Sequence, residues 1–183
     1  MFRPFLSLVV LFTVCTFVIA ESPTKSNWSS GLDHYIGHFR MLNNDNQPVR
    51  DFESHWAEPN EIFQYASFSM IDGADSSSRG VGFCFWNDEE ERPEFNELEF
   101  RDGERFMYVG YCVDMTKTTM TWMVSEWSEE GMISQVKMTD TFTSNGHERS
   151  TEQIIGEKSE ADDSNVVKWV RVTEDNRVGD EIK

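Results

Sequence analysis

Met132-Ile133-Ser134-Gln135-Val136-Lys137-Met138-Thr139-Asp140-Thr141-Phe142-Thr143 decides the fold. Met132, Val136, Met138 and Phe142 fall on alternate positions, with Gln135, Lys137, Thr139 and Thr141 between them. Side chains alternate across a strand with period two, so this segment has one buried face and one wet face. Working outward, the same beat runs from Glu61 to Thr173, in apolar stretches of about ten residues broken by turn-forming clusters. Asp102-Gly103 and Asn145-Gly146 are hairpin dipeptides, suited to turns whose central residues need positive φ. No amphipathic helix intervenes between the strands. The expectation is an all-β chain: an antiparallel up-and-down meander of eight to ten strands, closed or nearly closed into a barrel.

The N-terminus reads differently. Arg3 is followed by an almost wholly apolar run from Leu6 to Ile19, and Val18-Ile19-Ala20 offers small residues before polar Glu21-Ser22-Pro23. That is the pattern of a cleaved signal peptide over 1–20, and the run ends too early for a membrane span. The expected organisation is a signal peptide at 1–20, a flexible leader at 21–32, a β-barrel domain at 33–173 and a charged tail at 174–183. The mature protein is expected to be secreted or periplasmic.

The formal net charge of −17 argues against nucleic acid and anionic lipid as partners, since both need Lys and Arg. Solubility is the simpler meaning of the acidity. Fourteen Phe, 6 Trp and 9 Met make the chain too apolar to be disordered. Cys84 and Cys112 are the cysteines left after signal removal, and two readings stay open for them. A disulfide would close a loop worth roughly 3–4 kcal/mol. Two strands separated by a third, however, lie about 10 Å apart, beyond the roughly 7 Å a disulfide tolerates between Cα atoms. The alternative is a pair of buried thiols.

Ile36-Gly37-His38-Phe39, with Phe39 at a Trp position, looks like the Gly-x-Trp start of a first barrel strand. Gly80-Val81-Gly82-Phe83 before an aromatic-Asn-Asp turn, and the closing Lys168-Trp169-Val170-Arg171, are similar to the same group. On these residues the stretch 33–173 resembles the lipocalin-like, or calycin, barrels, and among them exported bacterial domains without assigned activity. The resemblance implies a barrel with an apolar ligand pocket and no catalytic residue.

Strand parity nominates the interior. Met120, Trp122 and Val124 share one face, and Met132, Val136, Met138 and Phe142 share another; these side chains are the expected core or pocket wall. Asp140 lies on the same face as Met138 and Phe142, where a carboxylate is costly unless paired. It is either a ligand anchor or general base, or the partner of an arginine such as Arg149 or Arg171. His34, His38, His55 and His147 do not form a metal-ligand spacing, and no metal or cofactor is expected. Asn27-Trp28-Ser29 fits a glycosylation sequon. Three roles follow in order of preference. The first is a non-catalytic barrel binding a small apolar or amphipathic molecule. The second is an enzyme with a rim acid–base site around Asp140. The third is an interaction module presenting an aromatic face, with Trp86 or Trp127, to another exported protein.

Overall fold

The computed structural model describes residues 22–43, 45–69, 78–156 and 166–173, so the expected signal peptide and charged tail lie outside the described residues. A short helix α1 (Trp28–Leu32) and a 3-10 turn (Asp33–Tyr35) precede ten strands. These are β1 (Gly37–Leu42), β2 (Pro48–Glu58), β3 (Ile62–Ser69), β4 (Ser78–Asn87) and β5 (Arg92–Arg101). There follow β6 (Glu104–Met115), β7 (Thr119–Ser128), β8 (Gly131–Thr143), β9 (Gly146–Ile155) and β10 (Val166–Arg171). Every strand pairs antiparallel with its neighbour in sequence, and β10 returns to β1, so the barrel is closed. Closure removes the two exposed edges that a sheet of this length would otherwise carry.

The turn chemistry matches the backbone. Asp102 and Gly103 both have positive φ, 54° and 84°, which joins β5 to β6 in the tight register Arg101↔Glu104. Gly146 answers a different need: a Cβ there would strike the backbone carbonyl of Trp169 on β10.

Parity inside the barrel follows the alternation in the sequence, with one correction. Met132 was expected to face inward with Val136 and Met138, yet it is 41% exposed. A bulge sets Glu126 against Ser134 but Trp127 against Met132, leaving Ile133 over. One extra residue reverses the face of everything beyond it. A second correction concerns residues 21–32, expected to be a flexible leader. Trp28, Gly31 and Leu32 of α1 are buried, and the helix closes one end of the barrel. No described helix is long and apolar enough to cross a membrane.

Candidate functional site

The interior is layered along the barrel axis. At the plugged end, Trp28 sits edge-on to Trp56, with centroids 5.7 Å apart, and tilted against Trp86 at 6.4 Å. At the opposite end the inward positions turn polar. Arg50 bonds Glu99 and Ser78 there, while Arg101 and Tyr108 converge on Glu126, at 3.2 Å and 3.0 Å to its Oε1. Between the two ends lies a cavity of about 110 Å³. Phe52, Phe63, Phe95, Trp122 and Trp169 give it aromatic walls, with Leu32 and Met138 beside them. Its polar lining comes from Tyr35, Arg50, Tyr65, Ser67, Glu97, His147 and Arg149.

Room for the side chains that line the cavity is written into β4 and β6 as inward glycines. A Cβ on Gly82 would overlap the Tyr65 ring, one on Gly80 would overlap Glu97 and Ser67, and one on Gly110 the Phe95 ring. The Gly-x-Gly at 80–82 therefore has a packing role: it lets large side chains from β3 and β5 lie across the barrel.

Asp140 is fully buried at the plugged end. Arg149, opposite it on β9, binds it through Nε at 2.8 Å and Nη2 at 2.9 Å, and the Tyr35 hydroxyl donates to Oδ2 at 2.6 Å. Burial opposes ionisation, but the Arg149 guanidinium outweighs it, and the Asp140 pKa lies below the ordinary carboxylate value. The same carboxylate raises the pKa of Arg149 against the effect of burial. This is a bidentate ion pair in which Oδ2 also accepts from a tyrosine. A carboxylate so paired, with its pKa lowered, is a poor base.

His147 stacks on Trp169, with centroids 5.8 Å apart and planes at 13°. Burial holds its pKa down at about 4, with Asp140 raising it and Arg149 and Arg171 lowering it. The unfolded chain binds a proton near pH 6.5 that the folded chain refuses until about pH 4. Stability is therefore expected to fall as pH drops through this window, by about 2 kcal/mol between pH 7 and 5 for this one group. Urea unfolding at the two pH values checks it, with His147→Phe as the control that should flatten the dependence. Equal pH slopes in both proteins would refute the assignment.

Glu97 differs from the other interior carboxylates. Asp140 has Arg149, and Glu99 has Arg50 with Arg101 at 3.5 Å. Glu97 has no ion-pair partner among the described residues; it accepts hydrogen bonds from Tyr65 at 3.0 Å and Ser67 at 3.5 Å. Burial pushes its pKa above the ordinary carboxylate value, although Arg50 and Tyr65 pull the other way. Glu99 shows the opposite balance: burial raises its pKa, but Ser78, Arg50 and Arg101 together bring it below the ordinary value.

The residues nominated by sequence separate into three places. Trp122 and Met138 line the cavity. Met120, Val124 and Asp140 are buried around it, with Val136 and Phe142 packed against the core. Met132 is on the outer surface. Cys84 and Cys112 are both free and buried, so the candidate disulfide is not formed. β5 separates their strands, and burial pushes the Cys112 thiol up to about 12 and the Cys84 thiol higher, which makes both inert. His34 stacks on Phe142, with centroids 4.2 Å apart, and Asn27 accepts a hydrogen bond from the Thr24 amide at 2.7 Å. Among the described residues no three His, Cys, Asp or Glu side chains form a metal-binding group. Glu97, Tyr65 and Arg50 were missed from the sequence. The signal for Glu97 was present, because Phe95, Glu97 and Glu99 share one strand parity and Phe95 is core.

Outside the barrel, Val81, Leu98, Met107, Trp127 and Met132 form a row directly paired across β4 to β8. Each is at least a third exposed. Trp86, by contrast, packs against the core.

Closed ten-stranded meander, helical plug and lined cavity together define a barrel of lipocalin-compatible architecture. Comparison with protein-family models, with curated proteins and with solved structures found no match for this chain.

Proposed function

We propose that this chain is an exported, lipocalin-like barrel that binds a compact amphipathic molecule and carries out no catalysis. The carrying observation is the interior cavity of about 110 Å³, aromatic on its walls and polar at Arg50, Glu97 and Arg149. Its size sets the ligand class. An apolar cavity of roughly 150 Å³ holds one benzene, and drug-sized pockets begin at about 300 Å³. A long-chain lipid does not fit; a molecule of a few heavy atoms does. Two buried wall atoms, His147 Nδ1 and Trp169 Nε1, have no hydrogen-bond partner among the described residues, which favours a ligand with polar as well as apolar parts. Export rests on the apolar N-terminal run ending at Ala20.

Ligand-observed NMR with a panel of compact amphiphiles tests the reading. Saturation transfer to several of them, competed by one another, is expected. A folded protein that takes up none would overturn it.

The acid–base reading around Asp140 loses its footing, because that fully buried carboxylate bonds Arg149 and Tyr35 and no histidine. The interaction-module reading keeps one specific support, the outer row from Val81 to Met132, which includes Trp127. Sedimentation velocity of the wild type against Met107→Lys checks whether the row associates: concentration-dependent mass that the substitution abolishes supports an interface, and identical monomers argue against self-association.

A further inference from the structure

Resting on the cavity reading above, we infer that the barrel's ligand is a small organic ammonium ion, its charged head on Glu97 and its apolar body against Phe52, Phe95 and Trp122. The argument is a charge inventory of the interior. Arg149 is matched by Asp140, Arg50 by Glu99, and Arg101 by Glu126. Glu97 is the carboxylate left over, and it borders the cavity itself. The fourth inward arginine, Arg171, is held by the Ile36 and His34 carbonyls, so Glu97 when ionised has no ion-pair partner among the described residues. A buried charge without a counter-ion is costly, and a monovalent cation of the right size removes that cost.

The geometry around Glu97 suits an ammonium head. Tyr65 donates to one oxygen of the carboxylate and Ser67 to the other, and the missing side chains at Gly80 and Gly82 let all three groups lie across the strand toward the cavity. Aromatic faces nearby attract a cation as well as an apolar body. Burial raises the Glu97 pKa, and Arg50, Tyr65 and Arg149 only partly offset it. An anionic ligand meets the opposite situation: Arg50 and Arg149 also border the cavity, but each already has a carboxylate, so neither has charge to spare for it.

Three probes with one apolar body and different heads decide the matter: isobutylamine, isobutanol and isobutyrate, titrated at neutral pH by ligand-observed NMR. The amine is expected to bind at least tenfold more tightly than the alcohol or the carboxylate. In Glu97→Gln its affinity should drop to that of the alcohol, while the alcohol is unchanged. Because the substitution removes an uncompensated charge, its thermal midpoint without ligand should rise, which guards against reading misfolding as lost binding. Equal binding of the alcohol or carboxylate, or an amine preference that survives Glu97→Gln, would overturn the ammonium assignment and leave the cavity reading standing. Failure of all three probes on the folded wild type would overturn both.

Discussion

Replacing Arg149 with methionine should destabilise the protein by about 3–5 kcal/mol, enough to remove a large part of the stability of a domain this size. The reason is what remains behind. Asp140 is 0% exposed, and without Arg149 its carboxylate keeps only the Tyr35 hydroxyl. The reverse change should cost less. Arg149 is 26% exposed where it borders the cavity, so in Asp140→Asn its guanidinium can still meet a polar environment and the asparagine can still accept from Tyr35. Removing both charges together, as Asp140→Leu with Arg149→Met, should recover most of the loss, since a buried pair often contributes little beyond an apolar isostere. The asymmetry is itself testable by urea unfolding at pH 7. It should also shrink in acid. The Asp140 pKa is lowered in the wild type, so its pairing contributes stability above the unfolded carboxylate pKa and loses it as pH falls through the folded value. In Arg149→Met the carboxylate can protonate instead, and the gap between the two proteins should close toward low pH. Equal costs for the two single changes would mean that the pair, not the buried carboxylate, carries the energy.

The sequence yields the barrel because its two governing signals are local. Period-two alternation over Met120–Val124 and Val136–Phe142, and the Asp102-Gly103 hairpin, each act within a dozen residues, and antiparallel neighbours then follow from short turns. Met132 was misplaced because a bulge is a choice made between two strands, with no mark in either alone. The plug was missed for a related reason. Residues 28–32 are polar apart from Trp28 and Leu32, and a five-residue helix has no stability of its own. Its order comes from the barrel end it covers. Asp140 stood out because it interrupts an apolar face, but whether it was anchor or ion pair depended on Arg149 lying opposite across β9. Glu97 was overlooked because residues 95–100 read as a strand without a face being assigned to them, and it is parity with Phe95 that puts Glu97 and Glu99 inside.

Trp28→Ala should cost about 3–5 kcal/mol, the range for deleting a large buried aromatic side chain. Trp28 is 2% exposed, packed edge-on to Trp56 and tilted against Trp86, and it joins strands β2 and β4 across the barrel mouth. The neighbouring backbone cannot easily collapse into the space. A Cβ on Gly31 would already overlap the Met115 sulfur, so α1 is pressed against the methionines beneath it and has no closer position to take. The loss should therefore appear as a hole at the plugged end, not as a relaxed helix. Two measurements separate these outcomes. Urea unfolding reads the stability cost, and uptake of a bulky environment-sensitive dye reads access to the interior, which the wild-type cavity of about 110 Å³ is too small to grant. If the substitution leaves stability unchanged, α1 is an appendage of the barrel. If it destabilises the protein and admits the dye, the helix is the wall that limits the cavity to compact ligands, and residues 28–35 set what the barrel can hold as directly as the strands do.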